Sequence, residues 1–207
     1  DLPLTLQEQV EVVRGDLLDP ASLAQLPKDI DAAYYLVHSM GGANQDFAAM
    51  EATSAQNFVD YLDTTQARQI IYLSGIANVE NLSRHLTSRL NVENILVTAR
   101  ANHTVLRAAI IIGSGSASFE ILRDLVEKLP VMITPRWLNS KCQPIAIRDV
   151  IHYLTEVLGN PDCYGKSFEI GGSDVLTYKE MILRFAKLRG LKRYLISVPV
   201  LTPRLSS

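Results

Sequence analysis

The sequence predicts an α/β fold, a doubly wound parallel sheet covered by helices, with a small C-terminal lobe. Three observations carry this. Apolar runs of strand length alternate with segments of helical period from residue 10 to residue 129. The segments between successive strands have the length and pattern of crossover helices, which parallel pairing requires. After Pro130 the texture changes to short strands separated by polar turns.

Composition bounds the function. A chain of 207 residues with 47% apolar content supports a sizeable core. The net charge of −2 gives no basis for a nucleic-acid partner or a basic membrane patch. The longest apolar runs are too short to span a bilayer. Asp1 is not followed by the basic start and apolar core of a signal peptide. Cys142 and Cys163 stand far apart with no CxxC and no histidine cluster, which argues against a metal site or a disulfide framework and fits a reducing cytoplasm.

Residues 1–9 show no clear period. Val10 to Val13 reads as a short strand closed by Arg14-Gly15-Asp16. Pro20 to Leu26 reads as a short helix, with Asp19 as N-cap and Pro20 at its first position. Asp31 to His38 (DAAYYLVH) is a strand apolar on both faces, followed by a turn at Ser39-Met40-Gly41-Gly42. A helix covers about Asn44 to Thr64, with Phe47, Met50, Phe58, Tyr61 and Leu62 on one stripe. Gln69 to Leu73 is a buried strand that delivers Ser74-Gly75. The next helix carries His85, Arg89 and Glu93 at four-residue steps, which stacks them along one side.

Val105 to Ile112 (VLRAAIII) is a further strand, followed by a helix over Ala117 to Leu129 whose apolar positions include Phe119, Leu122, Leu125 and Val126. Beyond Pro130, VMITPRW and CQPIAI are short strands around a polar turn at Asn139-Ser140-Lys141. Asp149 to Leu158 is a helix, and Ser167 to Ile170 is a strand closed by Gly171-Gly172. Thr177 and Glu180 form a capping box that opens a helix ending at Gly190. The final residues, VPVLTPRLSS, are extended. No G-x-x-G-x-x-G occurs; Gly113-Ser-Gly-Ser follows the wrong strand and lacks the spacing.

Five short stretches carry a resemblance. They are Val12 to Leu17 (VVRGDL), Tyr34 to His38 (YYLVH), Tyr72 to Ser74 (YLS), His85-xxx-Arg89-xxx-Glu93, and Gln143 to Asp149 (QPIAIRD). None is decisive alone; their order and spacing together resemble the short-chain dehydrogenase/reductase superfamily. Within it, the chain is similar to atypical NmrA-like and nucleoside-diphosphate-sugar-epimerase-like proteins with a Rossmann-type NAD(P)-binding domain. The resemblance runs from Val10 to Ser207. It implies that a first strand, glycine-rich turn and first helix would precede Asp1. It divides the chain into a partial NAD(P)-binding domain over residues 1–129 and a substrate-side lobe, interwoven with it, over residues 130–207.

The resemblance also implies roles, each beside a plainer alternative. Asp16 and Leu17 would flank the adenine, the carboxylate accepting from the exocyclic amine and the backbone N–H meeting a ring nitrogen; Asp16 could instead cap its own turn. Val37, His38 and Ser39 would pass the adenine ribose and the pyrophosphate; His38 could equally be a loop histidine bonded to local backbone. Ala108 and Ala109 would carry backbone past the nicotinamide carboxamide, or simply form sheet core. Active members of the family carry a serine or threonine where Ser74 stands, with Tyr-x-x-x-Lys on the next helix. Here His85 occupies the tyrosine place and Arg89 the lysine place. Arg89 could hold ribose hydroxyls and phosphate as a fixed donor fork, and His85 could serve as general acid or base; alternatively Arg89 and Glu93 form a solvated helix pair. Trp137 beside Arg136 could cover a ligand or shield a loop, and Arg148-Asp149 reads as a structural junction that caps the next helix.

The expected partner is NAD or NADP together with a small-molecule substrate that the sequence does not identify. The expected function is that of a reductase or epimerase-like enzyme with a non-standard His/Arg site. The alternative is a non-catalytic dinucleotide-binding redox sensor or assembly partner. No metal site is expected.

Overall fold

In the computed structural model the described residues are 9–37, 47–76 and 84–198, with the side chains of residues 84–86 outside the description. The chain divides into two compact units. Unit 1 comprises Asp1–Leu106 and Val157–Ser167; unit 2 comprises Arg107–Glu156 and Phe168–Ser207. The boundary therefore falls within two strands.

The described part of unit 1 starts with a loop and helix α1 (Pro20–Leu23), whose N-cap Asp19 accepts from the Ala21 N–H as its sequence implies. The strand expected over Val10 to Val13 is absent: residues 11–16 have no regular structure, and Val10, Val12 and Val13 are exposed. Strand propensity alone does not fix a strand; its N–H and C=O groups need a ladder partner, and among the described residues this stretch has none. β1 (Ala32–Tyr35) is shorter than the expected Asp31 to His38. Leu36 and Val37 lie beyond it and are exposed, so the run is not buried on both faces.

α2 (Phe47–Leu62) leads to β2 (Gln69–Gly75), α3 (Arg84–Leu96) and β3 (Asn102–Ala108). β1 and β2 are parallel, with Tyr35 opposite Tyr72. The central sheet runs in the order β1-β2-β3-β8, where β8 spans Lys166–Ile170, and it is the parallel sheet of an α/β fold.

α2 buries Ala55, Val59 and Leu62 at helical spacing, and the same stripe carries Glu51. Of the expected stripe, Tyr61 and Leu62 are buried and Phe58 packs against the core, while Met50 is exposed; the buried face also takes in Ala55 at zero exposure. The core on this face gathers Tyr35, Val59, Leu62, Ile70, Tyr72 and Val92 among others. Tyr35 meets Tyr72 edge-on at 5.9 Å and Phe58 at 5.0 Å.

β2 is also buried where Gln69 and Ile71 point. Gln69 is 1% exposed, yet its amide is fully engaged. Its Nε2 donates to Thr104 Oγ1 at 2.9 Å and to the Val157 carbonyl at 2.8 Å, while its Oε1 accepts from the Gly159 N–H at 2.7 Å. Thr104 in turn donates to the Cys163 carbonyl at 2.9 Å, and the Gly165 N–H donates to the His103 carbonyl at 2.7 Å. These bonds fasten residues 157–165 to the starts of β2 and β3.

In unit 2, the strand expected over Val105 to Ile112 is broken. After β3 ends at Ala108, the chain resumes as β4 (Ile111–Ile112), which joins a separate pair with β7 (Ile145–Ala146). The break has a hydrogen-bond cause: the Ala109 N–H donates to the Ile170 carbonyl, and the Ile110 carbonyl accepts from the Ile145 N–H, so successive peptides serve different strands. α4 (Ala117–Lys128) starts at its N-cap Ser116, and Val126 is fully buried. β5 (Val131–Thr134) pairs in parallel with β10 (Tyr194–Ser197), and β6 (Lys141–Cys142) pairs antiparallel with β9 (Leu176–Thr177). α5 (Ile147–Glu156) begins two residues before the expected Asp149, which sits in its first turn rather than capping it. α6 (Tyr178–Leu188) shows the capping box between Thr177 and Glu180. Gly172 permits the Pro144 carbonyl to sit where a Cβ would be. The extended run after Val198 lies outside the described residues.

The amide network of Gln69 yields a stability prediction. Gln69→Leu keeps the volume but strands the Val157 carbonyl and the Gly159 N–H, and should lower the unfolding free energy by about 3 kcal/mol. Urea unfolding followed by circular dichroism measures this; a loss below about 1 kcal/mol would show that these groups find other partners.

Candidate functional site

Ser74 and Arg89 lie in unit 1, where β2 ends and α3 follows it, and the backbone of His85 is on the same helix. Side chains on a strand alternate between faces, so Tyr72 and Ser74 share one face of β2. Both are nearly sealed, at 4% and 3% exposure. The Tyr72 hydroxyl donates to the Arg89 carbonyl on α3 at 3.5 Å. Ser74 Oγ lies close enough to that hydroxyl to favour its ionised form. Even so, among the described residues it is the buried side-chain oxygen that meets no partner at hydrogen-bonding geometry. Buried hydroxyls are otherwise satisfied almost without exception, and an unpaired one costs about 1–3 kcal/mol. Ser74 therefore offers an unused donor and acceptor beside Arg89's turn of helix.

The electrostatics of this corner are set by buried groups. Burial pushes the Tyr72 phenol above its ordinary value of 10.0; the Ser74 hydroxyl and the Arg89 charge oppose that, and Glu51 and Glu93 add to it. Tyr35 is raised further, first by burial and then by Tyr72 and Glu51. Glu51 is 7% exposed and accepts from Ser88 Oγ across the α2–α3 contact. Glu93 is also 7% exposed and accepts from Ser167 Oγ at 3.3 Å. This corrects the alternative of a solvated Arg89–Glu93 pair, because Glu93 is withdrawn from solvent and bonded to residue 167. Sequence reasoning missed Glu51. The signal was present, since Glu51 stands four residues ahead of Ala55 and eight ahead of Val59, on their stripe.

The remaining predicted residues fall as follows. Asp16 is exposed, and its Oδ1 accepts from the Leu18 N–H at 2.8 Å, the turn-capping geometry weighed against the adenine role. A carboxylate has further lone pairs, so this bond leaves it able to accept from a ligand amine. Leu17 packs against the unit 1 core, and its carbonyl accepts from Asn57 Nδ2 at 2.7 Å. Val37 is exposed beyond the end of β1. His38 and Ser39 lie outside the described residues. His85 is placed on α3, one turn before Arg89, with its side chain outside the described residues. In unit 2, Ala108 is buried, while the Ala109 N–H is committed to Ile170. Trp137 is 42% exposed and packs edge-on to Tyr178 at 5.5 Å. A cavity of about 420 Å³ opens instead at the starts of β1 and β2, beside Tyr34, Arg68, Gln69 and Tyr164, away from Ser74.

The donors and acceptors of unit 1 fit a dinucleotide. Asp16 offers a carboxylate, Arg89 a guanidinium, and Ser74 an uncommitted hydroxyl sealed at the end of a parallel strand, the end at which ligands meet such sheets. Among the described residues no helix is long and apolar enough to cross a membrane.

Comparison with known proteins agrees with the fold. A family model described as NAD(P)H-binding matches residues 2–119. No curated protein matches the chain. Among solved structures, a nucleoside-diphosphate-sugar epimerase from Staphylococcus aureus superposes with a TM-score of 0.77 at 17% identity, covering 97% of this chain and 67% of that one. A short-chain dehydrogenase/reductase superfamily protein from Agrobacterium tumefaciens with bound NAD gives 0.72 at 16% identity, covering 90% and 73%. RMD from Pseudomonas aeruginosa, complexed with NADPH, gives 0.71 at 16% identity, covering 89% and 75%. At these identities the likeness is one of fold, and the fold is the Rossmann type.

The buried groups can be tested through stability. Ser74→Ala removes an unsatisfied hydroxyl and should stabilise the protein by about 1 kcal/mol, read as a higher urea midpoint; destabilisation would mean that the hydroxyl has a partner. Raised phenol values mean that above pH 10.0 the native state holds protons that the unfolded chain releases, so stability present below that pH falls as pH rises through it. Midpoints measured between about pH 8 and about pH 11 should fall more steeply for the parent protein than for the Tyr35→Phe/Tyr72→Phe variant.

Proposed function

Because the chain belongs to the NAD(P)H-binding family whose model spans residues 2–119, we propose that it binds NAD or NADP as an atypical short-chain dehydrogenase/reductase-like protein. In this reading it acts as a reductase or an epimerase-like enzyme. The observation that carries the reading is the sealed, unpartnered hydroxyl of Ser74 beside the turn of α3 that bears Arg89. A bound dinucleotide supplies hydride exchange at its nicotinamide ring. Ser74 accepts or donates a hydrogen bond at the substrate oxygen and orients it. Arg89 holds ribose hydroxyls and phosphate with its rigid donor fork. His85, one helical turn earlier, exchanges the proton as general acid or base near neutral pH.

Around the cofactor, Asp16 and Leu17 take the adenine, with the second carboxylate oxygen of Asp16 accepting from the exocyclic amine. Val37, His38 and Ser39 carry backbone past the ribose and pyrophosphate. Ala108 and Ala109 serve the carboxamide through carbonyl oxygens and close approach, since the Ala109 N–H is committed elsewhere. The two free cysteines, both partly buried, suit a cytoplasmic location.

Histidine and arginine in the family's tyrosine and lysine places favour one second reading. In it the protein is a redox sensor or assembly partner that binds the dinucleotide without turning it over. Histidine stands where the family has the phenol whose pKa its lysine lowers, and an arginine keeps its charge throughout, so the usual acid–base pair is replaced.

The test is a titration of the full-length protein with NADH and with NADPH, followed by nicotinamide fluorescence, and an assay against carbonyl and sugar-nucleotide substrates. Saturable enhancement is expected, with Arg89→Ala weakening it about tenfold or more. Turnover that vanishes in His85→Ala while binding persists identifies the enzyme. Tight binding without turnover identifies the sensor, and no saturable binding of either dinucleotide overturns both.

A further inference from the structure

Among its described side chains, α3 is anchored in two ways. Towards its C-terminal end Val92 and Leu96 are buried at 3% and 1% exposure and pack into the core beside Tyr72. Towards its N-terminal end, where His85 and Arg89 lie, the buried described side chain is Ser88, at 3% exposure. Ser88 gives no apolar grip. What holds it is the hydrogen bond from its Oγ to Glu51 Oε2 on α2. The next residue, Arg89, is held through its carbonyl by the Tyr72 hydroxyl at 3.5 Å. Two polar contacts, on consecutive residues and from two different elements, thus fix this turn of helix.

A carboxylate is a costly means of filling position 51. It interrupts the apolar stripe of Ala55, Val59 and Leu62, and a buried carboxyl group loses its hydration. Leucine there would continue the stripe but would leave Ser88 Oγ unpaired and the helix turn free to shift. The charges of Glu51, Glu93 and Arg89 all act on the same Tyr72 hydroxyl, which places the Glu51 carboxylate in the immediate surroundings of the site.

We propose that Glu51 is a positioning residue: through the Ser88 hydroxyl it fixes the turn of α3 that carries Arg89, and so sets the dinucleotide affinity. This rests on the dinucleotide reading above. Glu51 touches no cofactor itself. Its acceptor oxygen is what matters, so glutamine preserves the role and alanine removes it.

The experiment compares Glu51→Ala, Glu51→Gln, Ser88→Ala and the double alanine variant with the parent. NADH and NADPH affinities are measured at a temperature where circular dichroism shows each protein folded. Glu51→Ala should weaken binding about tenfold and Glu51→Gln by less than about threefold. The double variant should bind no worse than the weaker single variant, because both cut one link. If Glu51→Ala does not fold, Ser88→Ala cuts the same link from the helix side and its affinity decides. Parent-like affinity in folded Glu51→Ala or Ser88→Ala, whatever their thermal midpoints, overturns the positioning role and leaves the dinucleotide reading standing. Failure of glutamine to rescue overturns the positioning role in the same way. If the parent binds neither dinucleotide, the dinucleotide reading falls and the positioning role falls with it.

Discussion

A polar side chain inside a covered strand must bring its partners with it, and Gln69 shows what that demand organises. Its amide makes three bonds, to β3 and to two backbone groups of the returning segment. None is optional, because each partner would otherwise be a polar group shut away from water. The starts of β2 and β3 and the segment after α5 are therefore fixed together. With the base of β2 fixed in this way, its other end, where Ser74 lies, is held at a defined place on the same rigid strand.

On the other face of β2 the polar groups follow a different logic. Glu51 has Ser88, Glu93 has Ser167, and Tyr72 has the Arg89 carbonyl. Ser74 alone among the described buried side-chain oxygens lacks such a partner. The contrast is informative because the chain satisfies buried oxygens thoroughly elsewhere on the same face. In that company the Ser74 hydroxyl is the buried oxygen left open to a further hydrogen bond.

Much of this was legible in the sequence, and the exceptions have physical causes. The alternation of strand and helix, the Asp19 cap, the Thr177–Glu180 capping box and the stretch from Gln69 to Glu93 are local patterns, and local patterns survive folding. Val10 to Val13 looked like a strand because β propensity is a property of residues, whereas a strand is a property of a pair. VLRAAIII looked like one strand because its hydropathy is continuous; the break at Ala109 comes from which partner each peptide meets, Ile170 or Ile145. On α2 the expected Phe58, Tyr61 and Leu62 do face the core, but hydropathy gives weight to Met50, which is exposed, and none to Glu51, which is buried. The positions of Ser74 near the end of β2 and of Arg89 on α3 followed from local pattern. The place of Glu51 on the α2 stripe was legible too, but its partner, 37 residues away, was not.

Unit 1 is not continuous in sequence. It closes only with Val157–Ser167, and the bonds from Gln69 to that segment span 88 and 90 residues. A ribosome delivers residues in order, so β2 emerges with a buried amide whose partners have not yet been made. Until they arrive, Gln69 keeps water as its partner and this edge of the sheet stays open. Final closure of unit 1 thus waits on synthesis of the chain between, and joining its two segments carries the closure entropy of that long loop, whereas the helices are made of local contacts.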